Sequence, residues 1–294
     1  MSKFLDDFEA FIRTQPFDFI RFSHYVDGSK IETLEHIPAN RCQNTYSVAK
    51  LFTATAIGML WDRGLLRLDE KICDIFRDEL PDGTDERWEM NTVETVLTHR
   101  AGLPGGFMDI DCAPMQQFTR DYLGYLFTHP LAYTPDTESR YSDAASYLLS
   151  RVVSKITGQK LDDFLWENLL WDMEFAEMAW SCCPQGYPMG ATGLHIHSED
   201  MVKLGILYLH KGVYNGKRYL SEEWCNLTLE NCYSIDWDET HSVYFKGGMY
   251  GQKLLVAPAQ NRVIAMQAFG ANSDVVAEWV RDYVRQPVET ACNN

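Results

Sequence analysis

The chain has 294 residues, 46% of them hydrophobic, enough for one large domain or two modest ones with an ample core. Its 42 acidic residues outnumber 26 basic ones for a formal charge of −16, which argues against nucleic acid and anionic lipid as partners. No apolar run of about 18 residues is present to span a membrane.

The first residues, MSKFLDDFEAFIRT, read as a short acidic amphipathic helix over 3–13. They lack the basic start, apolar run and cleavage site of a signal peptide, so a cytoplasmic protein is expected. FDFIRFSHYV (17–26), rich in aromatic and β-branched residues, is followed by Asp27-Gly28 and KIETLEHI, a hairpin signal. The longest apolar helical stretch runs from Ser47 to Leu66. Leu51, Ala54, Thr55, Gly58 and Trp61 recur there at the spacing of a buried face.

The middle reads as helical. Helices are expected over 93–99, 114–127, 142–158 with Gly158 as a stop, 161–170, 198–212 with Ser198 as a cap, and 221–230. Residues 184–193 form a Pro/Gly-rich loop. Residues 243–248, 252–258 and 262–269 then read as strands, with a turn at 259–261, and 273–284 as a closing helix. Strands at both ends and helices between them predict an α+β fold, with an antiparallel sheet drawn from both chain ends and flanked by the terminal helices. The expected division is a sheet half of 1–70 and 198–294, a helical half of 71–197, and one catalytic domain overall. Eight scattered cysteines without CxxC or zinc-ribbon spacing predict free thiols, most of them filling core space.

Three short stretches carry chemistry. In NTYSVAKLF, Ser47 and Lys50 stand three apart, so a helix places hydroxyl and amine on one face. A serine hydroxyl needs such a base in reach, and donors for the developing oxyanion. S-x-x-K alone is weak evidence, since about one match is expected in a chain of this length; a capping serine and a solvated lysine are the plain alternative. Tyr141-Ser142-Asp143 lies where a loop meets a helix. Ser142 or Asp143 could simply cap that helix, whereas a tyrosine beside lysines has a stabilised phenolate and can act as a base. Lys246-Gly247-Gly248 precedes a strand, where glycine lets a substrate lie against the edge; a hairpin turn with a surface lysine is the plain alternative.

In the order S-x-x-K, Y-x-N-like, K-x-G, these stretches resemble the penicillin-recognising serine hydrolases: class C β-lactamases, D-Ala-D-Ala peptidases and related carboxylesterases. LTHRAGLP (97–104), GLLRLDEKI (64–72) and the segment 189–224 are similar to that superfamily too, so the resemblance spans about Asn44 to Phe269. It implies the β-lactamase/transpeptidase-like fold and acyl transfer to water through an acyl-enzyme on Ser47. Lys50 would share the serine proton, Tyr141 would be base and then acid, and Asp143, Lys246 and Gly248 would meet the substrate. The backbone N–H groups of Ser47 and Met249 would form the oxyanion hole. No metal or organic cofactor is implied, and the partner would be a small-molecule ester, amide or lactam, with no nucleic acid and no membrane.

Two departures shape the expectation. Asp143 stands where the family usually has Asn, and an ionised carboxylate cannot donate to a substrate carbonyl. Gly247 replaces the hydroxyl residue of K-T-G members, which favours neutral esters over penicillin-like acids. An esterase-like serine hydrolase is therefore the first expectation. A β-lactamase or D-amino-acid peptidase is the alternative, and a degenerate member that binds without turnover is the rival of another class. Tyr25-Val26-Asp27 is read as a chance match, His195 and His197 as loop or helix-lead residues, and Asp109 and Asp111 as loop carboxylates.

Overall fold

The computed structural model describes residues 2–16, 18–270 and 272–285; Phe17, Cys292 and the last residues of the expected sheet half lie outside them. The strands are β1 (Asp18–Val26), β2 (Glu32–Glu35), β3 (Gln43–Asn44), β4 (Ala179–Trp180), β5 (Leu194–Ile196), β6 (Val213–Tyr214), β7 (Lys217–Arg218), β8 (Asp236–Trp237), β9 (Tyr244–Gly247), β10 (Lys253–Ala257) and β11 (Arg262–Phe269). Six of them form one sheet in the order β2-β1-β11-β10-β9-β8, with every neighbouring pair antiparallel. Both chain ends thus supply the sheet, and the last long strand lies against the first.

The helices are α1 (Lys3–Ile12), α2 (Ala49–Asp62), α3 (Ile72–Ile75), α4 (Val93–Leu97), α5 (Tyr122–Thr128), α6 (Asp143–Thr157), α7 (Leu161–Leu165), α8 (Ser198–Leu209), α9 (Glu222–Glu230) and α10 (Ser273–Arg285). The sheet is buried on both faces, and the strand period of two divides its side chains between two cores. In β11, Ile264 and Met266 join Phe4, Phe8, Phe22 and Val280 beneath α1 and α10, while Val263 and Ala265 join the larger core with the helices of the middle. Phe8 stacks on Phe22 with ring centroids 3.6 Å apart, so α1 is fastened to β1 by rings whose burial stabilises by roughly 1.5–3 kcal/mol apiece. α8 crosses the opposite face through Gly205, where a Cβ would sit 2.4 Å from Val263 Cγ1.

α2 is the central element. Every residue from Ala49 to Leu60 is buried, so its apolar residues are not confined to one stripe, as the spacing of Leu51, Ala54, Thr55, Gly58 and Trp61 suggests. It packs against α6, and the junction of these two helices with the sheet is where the chemistry-bearing residues gather.

Several local expectations change. α2 begins at Ala49, and Ser47 belongs to a preceding 3₁₀ turn, Tyr46–Val48. Of the expected helix 114–127 only Tyr122–Thr128 forms, started by the Asp121 side chain accepting from Gly124 N–H; a 3₁₀ turn occupies Met115–Gln117. The helix expected over 161–170 passes from α to π geometry at Trp166. Ser198 is not a cap: His197 holds that position, and the Ser198 hydroxyl meets Ser23 Oγ at 2.7 Å. Gly158 closes α6 in the left-handed conformation as expected. The described cysteines are free, but Cys112 and Cys232 are exposed and Cys42 and Cys182 half-buried, so only Cys73, Cys183 and Cys225 fill core space. Among the described residues no helix is long and apolar enough to cross a membrane.

Candidate active site

The turn carrying Ser47 is fastened before the helix begins. Thr45 N–H donates to Leu194 O at 2.8 Å, and Asn44 Oδ1 accepts from Tyr46 N–H at 2.9 Å and Gly193 N–H at 3.2 Å. Tyr46 takes a positive φ of 47°, a strained conformation for a side chain of this size. The turn then feeds α2, whose second residue is Lys50.

Lys50 is 1% exposed. A buried ammonium must have its three donors met, and each finds an acceptor: Asp143 Oδ1 at 2.7 Å, Ala191 O at 3.0 Å and Ser47 Oγ at 3.1 Å. Burial pushes Lys50 down, but Asp143, with Tyr141 adding, outweighs it and holds the ammonium above the ordinary lysine value. Asp143 opens α6, where the helix N-terminus favours a carboxylate. Ser142 holds the cap position, but its hydroxyl makes no capping bond.

Ala191 reaches Lys50 because the loop after Pro184 lies across α2 and α6. Thr53 Oγ1 donates to Gly190 O and Ser150 Oγ to Pro188 O, each at 2.7 Å. At Gly190 a Cβ would fall 2.5 Å from Ser146 O.

Tyr141 precedes this pair and is 47% exposed. Lys50 Nζ stands 4.7 Å from its ring centroid and Lys246 Nζ 5.3 Å, so both lysine side chains meet the phenol ring. Lys246 lies on β9 and is 7% exposed, and no hydrogen bond to its Nζ is present among the described residues. Burial pushes Lys246 below the ordinary lysine value; Tyr141 works against that shift and Lys50 with it.

β9 is brought up to the Ser47 turn by Gly248. A Cβ there would lie 2.4 Å from Thr45 O and 3.2 Å from Tyr46 Cβ, whereas nothing stands within 4 Å of a Cβ on Gly247. Met249 then opens a 3₁₀ turn in which Tyr250 has φ 60°. Its ring meets the Tyr46 ring at 5.2 Å, so the segments holding Ser47 and Met249 are joined by an aromatic contact.

The structure therefore brings Ser47, Lys50, Tyr141, Asp143, Lys246 and Gly248 to one junction between sheet and helices. Tyr25 stays in the hairpin, bonded to Asp27 at 2.9 Å. His197 bonds Glu177 at 3.0 Å and His195 bonds Gly193 O.

Asp109 and Asp111 lie in the loop, as expected, but close to Asp143. One oxygen from each of Asp109, Asp111 and Asp143 lies within 4.8 Å of the others, and Asp143 is paired with Lys50. Asp111 also accepts from Thr192 Oγ1, and burial pushes its carboxyl above the usual range. Sequence reasoning also left unassigned Ala191, whose backbone contribution no side-chain pattern signals, and His99, although it lies in the LTHRAGLP segment.

A buried antiparallel sheet with terminal helices on one face, a helical half on the other and a polar cluster where they meet is the architecture of the β-lactamase/transpeptidase-fold proteins. The chain belongs to the Beta-lactamase family, whose profile matches residues 21–284. It is similar to an unguisins hydrolase from Aspergillus violaceofuscus, at 28% identity over 162 residues, covering 53% of this chain and 26% of that protein. The chain thus spans about a quarter of the length of that relative. Among solved structures, the octameric penicillin-binding protein homologue from Pyrococcus abyssi superposes with a TM-score of 0.74 at 16% identity, over 96% of this chain and 77% of that one. A family VIII carboxylesterase does so with a TM-score of 0.68 at 14% identity, over 92% and 94%. At these identities the superpositions speak for the fold.

Proposed function

We propose that this member of the family is a serine hydrolase acting on an ester, with an amide as the second choice. The observation that carries the reading is the hydroxyl of Ser47 held 3.1 Å from Lys50 Nζ, with the Tyr141 ring within 4.7 Å of Lys50 Nζ and 5.3 Å of Lys246 Nζ.

In this scheme Lys50 is a fixed ammonium that donates to Ser47 Oγ and orients it. The base is Tyr141, reacting as its phenolate, which takes the hydroxyl proton as Oγ attacks the carbonyl carbon. The N–H groups of Ser47 and Met249 receive the negative oxygen. Tyr141 passes its proton to the leaving alkoxide, and the acyl group stays on Ser47. Water then attacks that ester with Tyr141 again as base, giving the acid and the free serine. Lys246 attracts an anionic substrate group or steadies the phenolate.

The Lys50–Asp143 pair supports the preference for esters. Asp143 accepts from Lys50, and as a carboxylate it has no hydrogen to offer an acylamino carbonyl. The same pair keeps alive a ligand-binding member without turnover.

A fluorophosphonate probe and a p-nitrophenyl acyl ester test the proposal. Wild type is expected to be labelled and to cleave the ester, and Ser47→Ala to do neither. An inert wild type would favour the binding reading, and nitrocefin turnover in excess of ester turnover would favour a β-lactamase.

A further inference from the structure

Tyr141 is a half-exposed residue in an irregular segment, yet the chemistry proposed for it tolerates little displacement. Its backbone carbonyl accepts from Gly106 N–H at 2.9 Å. The two residues that flank it both bond to His99. Arg140 N–H donates to His99 O at 2.8 Å, and Ser142 N–H donates to His99 Nδ1 at 3.4 Å. The His99 ring lies over the Tyr141 ring, with centroids 4.7 Å apart and planes inclined by 40°. One residue therefore grips Tyr141 on its N-terminal side, its C-terminal side and its ring.

We infer that His99 is a positioning residue for Tyr141, holding the phenol against the ammonium groups of Lys50 and Lys246. The inference rests on the serine-hydrolase reading for its catalytic consequence, while the grip itself stands on geometry.

The backbone of His99 supports the assignment. It ends α4 with φ 56°, a conformation in which glycine would be less strained and asparagine better tolerated. A turn needed only to end the helix would gain nothing from histidine. Here the side chain supplies an acceptor and a flat face that glycine lacks. Nδ1 must stay unprotonated to accept from Ser142. Burial, with Lys246 and Lys50 nearby, pushes His99 down to about 3, so the acceptor persists at neutral pH. Neighbouring bonds tie the same two segments together: Ser139 Oγ donates to Thr98 O at 3.0 Å, and Arg100 pairs with Asp136 at 2.8 Å.

The test uses the full chain with 3-fluorotyrosine at position 141, read by fluorine NMR, and p-nitrophenyl ester kinetics on the unlabelled variants. His99→Gly relieves the backbone strain and removes acceptor and ring. His99→Asn suits the backbone and keeps an acceptor for Ser142. The expected result is a narrow fluorine line in wild type, a broadened or shifted line in His99→Gly, and a line closer to wild type in His99→Asn. In parallel, kcat should fall about ten-fold or more in His99→Gly, with KM within about two-fold, and recover in part in His99→Asn.

An unchanged fluorine line in His99→Gly overturns the inference, as does a changed line with wild-type kcat. An equal loss in both variants with KM rising in step would mark a merely structural residue. An ester-inert wild type would defeat the hydrolase reading, and the fluorine lines would still decide whether His99 holds Tyr141.

Discussion

The Lys50 ammonium and the Asp143 carboxylate meet at 2.7 Å with side chains 0% and 7% exposed, a buried ion pair at the centre of the site. Such a pair is a weak net contributor to stability when intact, but removing one member leaves an uncompensated charge.

Asp143→Ala is therefore expected to destabilise by about 3–5 kcal/mol, read from urea unfolding. Asp143→Asn keeps an acceptor for Lys50 and should cost much less. It also gives the site an amide donor and frees Lys50 from its anion. Turnover of nitrocefin and of substrates with an acylamino side chain should rise in Asp143→Asn. No rise over wild type would dismiss the carboxylate as the reason for an ester preference.

Gly247 and Gly248 make opposite predictions from adjacent positions. A methyl group on Gly248 meets Thr45 O at 2.4 Å, and that oxygen belongs to the turn that presents Ser47. Gly248→Ala should push β9 away, lower ester turnover by about 100-fold or more and destabilise by about 1–3 kcal/mol. A Cβ on Gly247 meets nothing within 4 Å, so Gly247→Thr should change stability by less than about 0.5 kcal/mol. It restores a hydroxyl and should lower KM for carboxylate-bearing β-lactams. Equal damage from the two changes would contradict this account of the strand's approach.

Acid stability follows from His24, 4% exposed and stacked on Phe4 with ring centroids 4.3 Å apart. Burial, with the Arg262 guanidinium adding, pushes it from 6.5 down to about 3. Between these values the unfolded chain binds a proton that the folded chain does not. Stability is thus complete above the unfolded value and falls as pH drops through this window, by up to about 1.4 kcal/mol per pH unit. His99 adds in the same direction. Urea midpoints measured between about pH 6.5 and pH 4.5 should fall less steeply in His24→Gln than in wild type. An identical slope would rule out His24 as a source of acid lability.

Local sequence determined a good deal. Runs of apolar, aromatic and β-branched residues at 18–26, 253–257 and 262–269 specify strands, because a sheet between two helix layers must present apolar groups on both faces. The spacing of Ser47 and Lys50 puts hydroxyl and amine on one side of a helical turn wherever that turn sits. What periodicity could not give was the break of 114–127 into a 3₁₀ turn and a short helix, or the shift of Ser47 out of α2. Each depends on a side chain or a neighbouring loop that takes over the backbone's hydrogen bonds.

Only the tertiary structure decided what surrounds Lys50. Asp143 is 93 residues away in the chain and Ala191 is 141 away, and no local pattern ranks one distant acceptor above another. The same holds for Thr45 O, which makes Gly248 sterically necessary, and for His99, which meets both neighbours of Tyr141. The sequence set which groups were on offer. Close packing of α2, α6, β9 and the 188–193 loop set their order in space, because a buried charge or an unfilled donor is costly enough to dictate its own neighbours.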